Sequence, residues 1–166
     1  MKYKQVFIGL GSNLGNRMQY LQSAIGLFRE YPQCRLVQQS PIYETEPRYV
    51  SSNPSYLNQI IQIETDLEPE ELLALCQKIE RKIGRQSERE RYAPRPIDAD
   101  LLSVCNETRS ATHLELPHPA IFERKFVLQP WADISPEYVI PRWNCSVRTM
   151  LGDCEDPTHI HQIQRG

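Results

Sequence analysis

The segment YLNQIIQIET, residues Tyr56–Thr65, has the alternation of a β-strand whose two faces both carry apolar side chains. Leu57, Ile61 and Ile63 would lie on one face, and Ile60 would lie on the other with Asn58 and Gln62. Because neither face is purely polar, we expect this strand to lie at the centre of a sheet.

The segments on either side of this strand predict two amphipathic helices. The first begins after Asn16, a residue type that caps helices, and the second begins at Glu68-Pro69 and ends at Gly84. Apolar residues at helical spacing are Met18, Leu21, Ile25 and Phe28 in the first helix, and Leu72, Cys76, Ile79 and Ile83 in the second.

Further strands are predicted over residues 5–10, 35–43, 97–104 and 114–116, with a turn at 11–15 whose glycines we interpret as turn residues. A last helix is predicted over 119–129, ended by Pro130. This order predicts the α+β class, with a ferredoxin-like βαββαβ core in which helices pack on a mostly antiparallel sheet. We expect one domain over residues 1–166, with a weakly patterned C-terminal tail over 143–166.

Composition restricts the class of partner. The chain has 166 residues and a formal net charge of −2, which disfavours a nucleic-acid-binding protein. It has no apolar run of membrane-spanning length and no signal peptide, so we expect no membrane partner and a cytoplasmic location.

The five cysteines are odd in number and lack CxxC spacing, which predicts free thiols. We expect a monomer.

Two aspartates, Asp98 and Asp100, are the strongest chemical signal. On a strand they would share one face, about 7 Å apart, where their charges repel. Spacing alone leaves two interpretations open, a solvated face of an edge strand or a site for Mg²⁺, which prefers oxygen ligands. The apolar residues that follow favour a packed strand.

The segment 81–95, just before these aspartates, is rich in positive charge. Six of its residues are basic, namely Arg81, Lys82, Arg85, Arg89, Arg91 and Arg95. The cluster is suited to the phosphates of a nucleotide, although any single member is typical of solvated surface. The sequence contains neither a GxxxxGK[ST] nor a GxGxxG motif, which disfavours P-loop and Rossmann sites.

Several motifs in order resemble one family, the 6-hydroxymethyl-7,8-dihydropterin pyrophosphokinases. They are GSNLG at 11–15, YETEP at 43–47, YLN at 56–58, APRPIDADLL at 93–102, PHP at 117–119 and ERKFVL at 123–128. The resemblance implies transfer of pyrophosphate from ATP to a hydroxymethyl-dihydropterin in folate synthesis. It implies ATP and the pterin as small-molecule partners, and two Mg²⁺ ions as cofactors.

The resemblance also implies roles for individual residues. The implied metal ligands are Asp98 and Asp100, which would act in catalysis with Arg85 and Arg95. The implied ATP-binding residues are Gln77, Glu80, Arg95, His118 and Arg124. The implied pterin-binding residues are Gly11, Thr45 and Asn58, with Tyr56 and Phe126 as aromatics on the two sides of the ring.

Two other functions stay open at this point. A binding-only relative would hold pterin or nucleotide without turnover, and a metal-dependent phosphohydrolase would break down ATP without pterin. The chain also departs from the family's usual residues at Arg48-Tyr49, Ser87, Tyr92, Pro96 and Ala99. These departures affect the expected rate and affinity more than the type of reaction.

Overall fold

The computed structural model describes residues 3–46, 54–84 and 96–163. The elements of the amino-terminal part are β1 (Lys4–Ser12), α1 (Arg17–Glu30), β2 (Cys34–Gln39), β3 (Ile42–Thr45), β4 (Tyr56–Thr65), α2 (Pro69–Ile83) and β5 (Asp98–Val104). They are followed by β6 (Arg109–Ala111), β7 (Leu114–Leu116), a 3₁₀ turn (Ile121–Glu123), α3 (Lys125–Ile134), β8 (Val139–Ile140), β9 (Cys145–Ser146), α4 (Val147–Asp153) and β10 (Ile160–Ile163).

One antiparallel sheet organises the molecule. Its strands lie in the order β10-β3-β4-β1-β5, and β2 pairs with the second half of β4. The predicted ferredoxin-like α+β core is confirmed, with β4 in its central position. The segment predicted as one extended stretch over 35–43 is divided into β2 and β3. At the division the Ser40 N–H donates to the Ile60 carbonyl of β4 at 2.8 Å, and the Ser40 Oγ accepts from the Ile60 N–H at 2.9 Å.

Both faces of the sheet are covered by helices. The first core lies under α1 and α2 and includes Leu57, Ile61 and Ile63 of β4. The second core lies on the opposite face, where Phe7 and Ile60 pack with side chains of α3 and α4. This arrangement explains why the sequence of β4 has apolar residues on both faces.

The ends of the first two helices follow their sequence signals. The Asn16 side chain accepts a hydrogen bond from the Gln19 N–H at 3.1 Å and so caps α1, as predicted. Glu68 and Glu71 form a reciprocal capping box at the start of α2. Gly84 follows α2 with φ of 122°, a conformation that favours glycine.

The third helix departs from its prediction. It begins at Lys125 rather than near Pro119, and it continues through Pro130 to Ile134, so the prediction that Pro130 ends it was wrong. Trp131 is fully buried and its ring centroid lies 5.1 Å from that of Phe7. Packing of this large side chain outweighs the backbone hydrogen bond that a proline cannot donate.

The C-terminal tail is built into the fold, although its sequence is weakly patterned. Helix α4 buries Val147 and Met150 in the second core, and β10 pairs with the outer edge of β3. These elements are only seven and four residues long, too short to show a clear period. Their stability comes from distant partners, which local sequence does not display. All five cysteines are free, as predicted.

Candidate active site

The two aspartates occupy the start of β5, the outermost strand of the sheet next to β1. Asp98 lies opposite Gly11 and Asp100 lies opposite Gly9. Between them Ala99 is buried in the first core, so both carboxylates lie on the other face, as their spacing predicts. Asp98 is half-buried and Asp100 is exposed, at one end of the sheet.

A buried carboxylate of α2 holds this strand from its free edge. Glu80 is only 6% exposed, and its Oε2 accepts a hydrogen bond from the Ala99 N–H at 2.9 Å. The pKa of the nearby Cys76 thiol is raised, first by burial and then by the negative charges of Glu80 and Asp100. The Glu80 and Asp100 carboxylates therefore both place negative charge close to this thiol.

Two glycines of β1 lie opposite the aspartates, and Gly11 forms the floor of the site between Asp98 and Asn58. Gly11 lies inside β1, as Gly9 does, so the prediction that Gly11 serves a turn was wrong, whereas Gly15 follows the strand with a positive φ of 70°. A Cβ atom at Gly11 would lie 3.1 Å from Asn58 Oδ1 and 3.6 Å from the Tyr56 ring. Strand β1 separates β4 from β5, so these two strands lie about 10 Å apart, which is two strand spacings. Glycine at position 11 leaves a gap above β1 that a side chain at this position would fill.

Gly11 and three residues on the side of it away from Asp98 form a polar recess, which we define as Gly11, Thr45, Tyr56 and Asn58. Strand register places Thr45 opposite Tyr56 and Asn58 opposite Gly11. The Asn58 Nδ2 donates to Thr45 Oγ1 at 2.8 Å, and both side chains are buried. Because Nδ2 is engaged with Thr45, the Asn58 Oδ1 is oriented toward Gly11, where it can accept a hydrogen bond.

The start of α3 lies on the same face of the sheet as the aspartates. The Arg124 guanidinium carbon is 5.7 Å from the centroid of the Phe126 ring, within the range of a cation–π contact. Phe126 is half-buried and packs against the second core. The structure thus places an aromatic ring and a cation at the first turn of this helix.

His118 is fixed against β5 by its own backbone. Its N–H donates to the Leu102 carbonyl at 2.9 Å, and its Nδ1 accepts from the Ala120 N–H at 3.2 Å. Burial, with a smaller contribution from the Arg124 charge, lowers the pKa of His118 to about 4. The imidazole is therefore neutral near pH 7 and carries its proton on Nε2, from which it can donate.

The structure describes eleven of the thirteen residues that the sequence predicted for the site, and strand register places Asp98, Gly11 and Asn58 side by side. Gln77 is exposed on α2, one turn before Glu80. Arg85 and Arg95, the two predicted catalytic arginines, lie outside the described residues, as do Arg48, Tyr49, Ser87 and Tyr92. Their predicted roles stay predictions.

Tyr43 lies opposite Asn58, and the sequence did not predict it as a site residue. Its hydroxyl donates to Asp133 Oδ2 of α3 at 2.5 Å, and burial, with Asp133 as the next cause, raises the pKa of Tyr43. This bond fixes α3 against β3 beside the polar recess. A buried tyrosine in a strand is a weak signal, because the partner is 90 residues away in sequence.

Comparison with known proteins places the chain in a family. Residues 7–136 match the family of 7,8-dihydro-6-hydroxymethylpterin-pyrophosphokinase (HPPK). The chain belongs to the HPPK family. A Bacillus subtilis HPPK, named 2-amino-4-hydroxy-6-hydroxymethyldihydropteridine pyrophosphokinase, is 41% identical over 128 residues, which are 77% of this chain and 76% of the relative. A protein of the same name from Methylorubrum extorquens is 37% identical over 160 residues, 96% of this chain and 99% of the relative.

Other HPPK relatives are longer. A folate synthesis bifunctional protein of Arabidopsis thaliana is 41% identical over 132 residues, which cover 80% of this chain but only 27% of that protein. A Plasmodium falciparum HPPK-DHPS structure with pteroate has a TM-score of 0.73 at 13% identity, covering 91% of this chain and 44% of that one. This last similarity confirms the HPPK fold alone. In the described ranges, no helix has the length and apolar character that a bilayer span requires.

Proposed function

We propose that the chain transfers the pyrophosphoryl group of ATP to 6-hydroxymethyl-7,8-dihydropterin, giving AMP and the pterin diphosphate in folate synthesis. Family membership and two relatives of matching length support an ATP-dependent diphosphotransferase. The observation that carries the proposal is the pair Asp98 and Asp100, on one sheet face across a glycine floor from the polar recess.

The residues present fit Mg²⁺. This ion binds through one or two carboxylates and fills its remaining positions with waters and substrate phosphates. Within residues 3–46, 54–84 and 96–163, no three His, Cys, Asp or Glu side chains gather into a metal-binding group. Asp98 and Asp100 would thus supply the protein part of the coordination and leave room for ATP. Bound Mg²⁺ would neutralise phosphate charge and lower the pKa of the pterin hydroxyl.

The bonding changes balance without a covalent intermediate on the protein. The hydroxymethyl oxygen of the pterin forms a bond to the β-phosphorus of ATP, and the bond from that phosphorus to the α,β-bridging oxygen breaks. AMP leaves with the electron pair, and the hydroxyl proton passes to solvent, so we assign no protein base. The protein contributes by orienting the two substrates and by neutralising charge.

The nucleotide is proposed to lie beside β5 and α2. Gln77 and Glu80 face it from α2, while the Nε2–H of His118 and the guanidinium of Arg124 donate hydrogen bonds to its oxygens. Arg85 and Arg95 are proposed to hold the phosphates in the transition state, where charge is greatest. The neutral state of His118 supports donation from Nε2 near pH 7.

The pterin is proposed to lie in the polar recess. Asn58 Oδ1 would accept from the pterin amide or amino group, with Thr45 holding the Asn58 side chain in place. Gly11 would leave space at the edge of the ring, and Tyr56 and Phe126 would stack on its two faces. The absence of a Cβ atom at Gly11 supports this placement, because a side chain there would fill the recess.

One assay tests the reaction. The protein is incubated with ATP, Mg²⁺ and 6-hydroxymethyl-7,8-dihydropterin, and AMP and pterin diphosphate are quantified. We expect equimolar products that require all three components. Release of phosphate or pyrophosphate without pterin would indicate a phosphohydrolase, and ATP binding without AMP release would indicate a binding-only relative; either result contradicts the proposal. The monomeric state, the two-ion stoichiometry and the cytoplasmic location stay predictions.

A further inference from the structure

One arginine at the start of α1 joins two other chain segments. The Nη1 of Arg17 donates to Glu44 Oε2 at 2.8 Å and to the Ser55 carbonyl at 2.8 Å. Glu44 belongs to β3, and Ser55 immediately precedes β4. A single guanidinium nitrogen therefore ties the start of a helix to the adjacent ends of two strands.

These strand ends carry the polar recess. Glu44 directly precedes Thr45, and Ser55 directly precedes Tyr56, which lies opposite Thr45 in the sheet. Because side chains alternate along a strand, Glu44 lies on the opposite face from Thr45, with Leu57 of the first core as its partner. Arg17 thus holds the recess from behind, without reaching the substrate side.

The Glu44 carboxylate is fixed through both of its oxygens. Oε2 accepts from Arg17, and Oε1 lies 3.2 Å from Nε2 of His161 in β10, the strand that pairs with β3. The side chains of Arg17 and Glu44 are 29% and 26% exposed, so water screens this ion pair only in part. A charge-assisted bond to a backbone carbonyl adds geometric constraint to the pair.

A second ion pair of the same sheet provides a contrast. Arg35 of β2 donates to Glu64 of β4 at the same distance of 2.8 Å, but its side chain is 72% exposed. This pair lies at the opposite end of β4 from the polar recess. The two pairs differ in location and exposure while sharing chemistry and length.

We propose that Arg17 is a positioning residue for the pterin substrate. It holds β3 and β4 so that Thr45, Tyr56 and Asn58 have their binding arrangement before the substrate arrives. This inference rests on the proposed function, which assigns the pterin to the polar recess. A recess that is already ordered loses less entropy on binding, so loss of Arg17 weakens pterin binding while the ATP side is unaffected.

The test compares Arg17→Ala with Arg35→Ala as a matched control. Pterin Kd is measured by titration in the presence of Mg²⁺ and a non-hydrolysable ATP analogue, and KM is measured for each substrate. For Arg17→Ala we expect the pterin Kd and KM to rise about 10-fold and the KM for ATP to stay within about twofold of wild type. Arg35→Ala should leave all three within about twofold, and Arg17→Lys should restore part of the affinity.

Two results would overturn the inference. One is a pterin Kd for Arg17→Ala within about twofold of wild type, and the other is an equal loss in Arg35→Ala. If circular dichroism shows that Arg17→Ala does not fold, Glu44→Gln takes its place with the same expectation and the same overturning results. The binding titration needs no turnover, so failure of the transferase assay and failure of this inference are distinguishable.

Discussion

Gly11 is the residue at which sheet geometry most directly limits the site. Its position opposite both Asn58 and Asp98 leaves space that any other side chain would occupy. We expect Gly11→Ala to weaken pterin binding about 10-fold or more, because the new Cβ, 3.1 Å from Asn58 Oδ1, displaces that side chain from Thr45. Pterin titration with an ATP analogue present measures the effect.

Gly9→Ala is the matched control for this prediction. A Cβ at Gly9 would lie 3.5 Å and 3.6 Å from the Leu102 and Ile60 side chains, which are ordinary contact distances. Pterin affinity and melting temperature should stay near wild type in this variant. Equal losses in the two variants would indicate general strain in β1 and would contradict the role given to Gly11.

His118 makes the stability of the protein depend on pH. Its folded pKa of about 4 lies below the ordinary value of 6.5, so the unfolded chain takes up this proton first as pH falls. The contribution is therefore present above pH 6.5 and is lost as pH falls toward about 4. Because the ring is only half-buried, we expect a loss on the order of 1–2 kcal/mol.

Denaturant unfolding at several pH values tests this assignment. His118→Asn removes the titrating group but keeps an acceptor for the Ala120 N–H, so its free energy of unfolding should fall less steeply between pH 6.5 and 4. Identical slopes in wild type and His118→Asn would refute the burial effect.

Among single residues, the aspartates were the most predictable from sequence. A spacing of two on a strand specifies a shared face, and β5 has it. The contact between Glu80 and the Ala99 N–H was not predictable, because it depends on how α2 packs along the sheet edge. Sequence motifs led to Glu80 as a nucleotide-side residue, whereas the contact with the acidic strand appears only in three dimensions.

At the scale of elements, long periodic segments were predicted well and most short ones were missed, although the three-residue strand β7 was predicted. Helices α1 and α2 bury most of the apolar residues that their spacing indicates, with Met18 and Ile83 only half-buried, and their caps follow from Asn16 and Glu68. Helix α3 was predicted to end too early, because local preference places a stop at Pro130 while the buried Trp131 requires the helix to continue. Helix α4 and strand β10 were missed because they are short.

Helix α4 should make a measurable contribution to stability through its cap. The Ser146 hydroxyl accepts from the Thr149 N–H at 3.2 Å at the start of this helix, which packs against α3. We expect Ser146→Ala to cost about 1 kcal/mol and to lower the melting temperature by about 2–4 °C. Thermal unfolding followed by circular dichroism measures the change.

The control for the cap is Ser110→Ala in strand β6, where the serine is exposed. This variant should melt within about 1 °C of wild type, as is usual for surface changes. If Ser146→Ala also melted like wild type, α4 would not be the capped and docked helix that we describe.

At the scale of the whole molecule, the order of strands and helices was enough to predict the ferredoxin-like core. Most of its elements are long, and their order of strand, helix, strand, strand, helix, strand is compatible with few topologies. The second core was harder to predict from the sequence. Three of its residues, Ile140, Val147 and Met150, lie beyond residue 136, where the family match ends. The covering of the second sheet face thus depends on a segment with little pattern of its own.

The site depends on the whole fold, because its residues come from strands β1, β3, β4 and β5 and from the start of α3. Its central feature is the pair Asp98 and Asp100 as ligands of Mg²⁺ beside the polar recess. Asn variants keep the size of each side chain and remove its charge. They should retain the wild-type melting temperature, because removing one carboxylate relieves repulsion on β5.

The most direct measurement is a Mg²⁺ titration by calorimetry of wild type, Asp98→Asn and Asp100→Asn, each with a non-hydrolysable ATP analogue and pterin present. We expect wild type to bind Mg²⁺ in this complex, and each variant to bind it about 10-fold more weakly or worse. In a separate assay with ATP in place of the analogue, each variant should release no AMP. Wild-type Mg²⁺ affinity and AMP release in both variants would contradict the account.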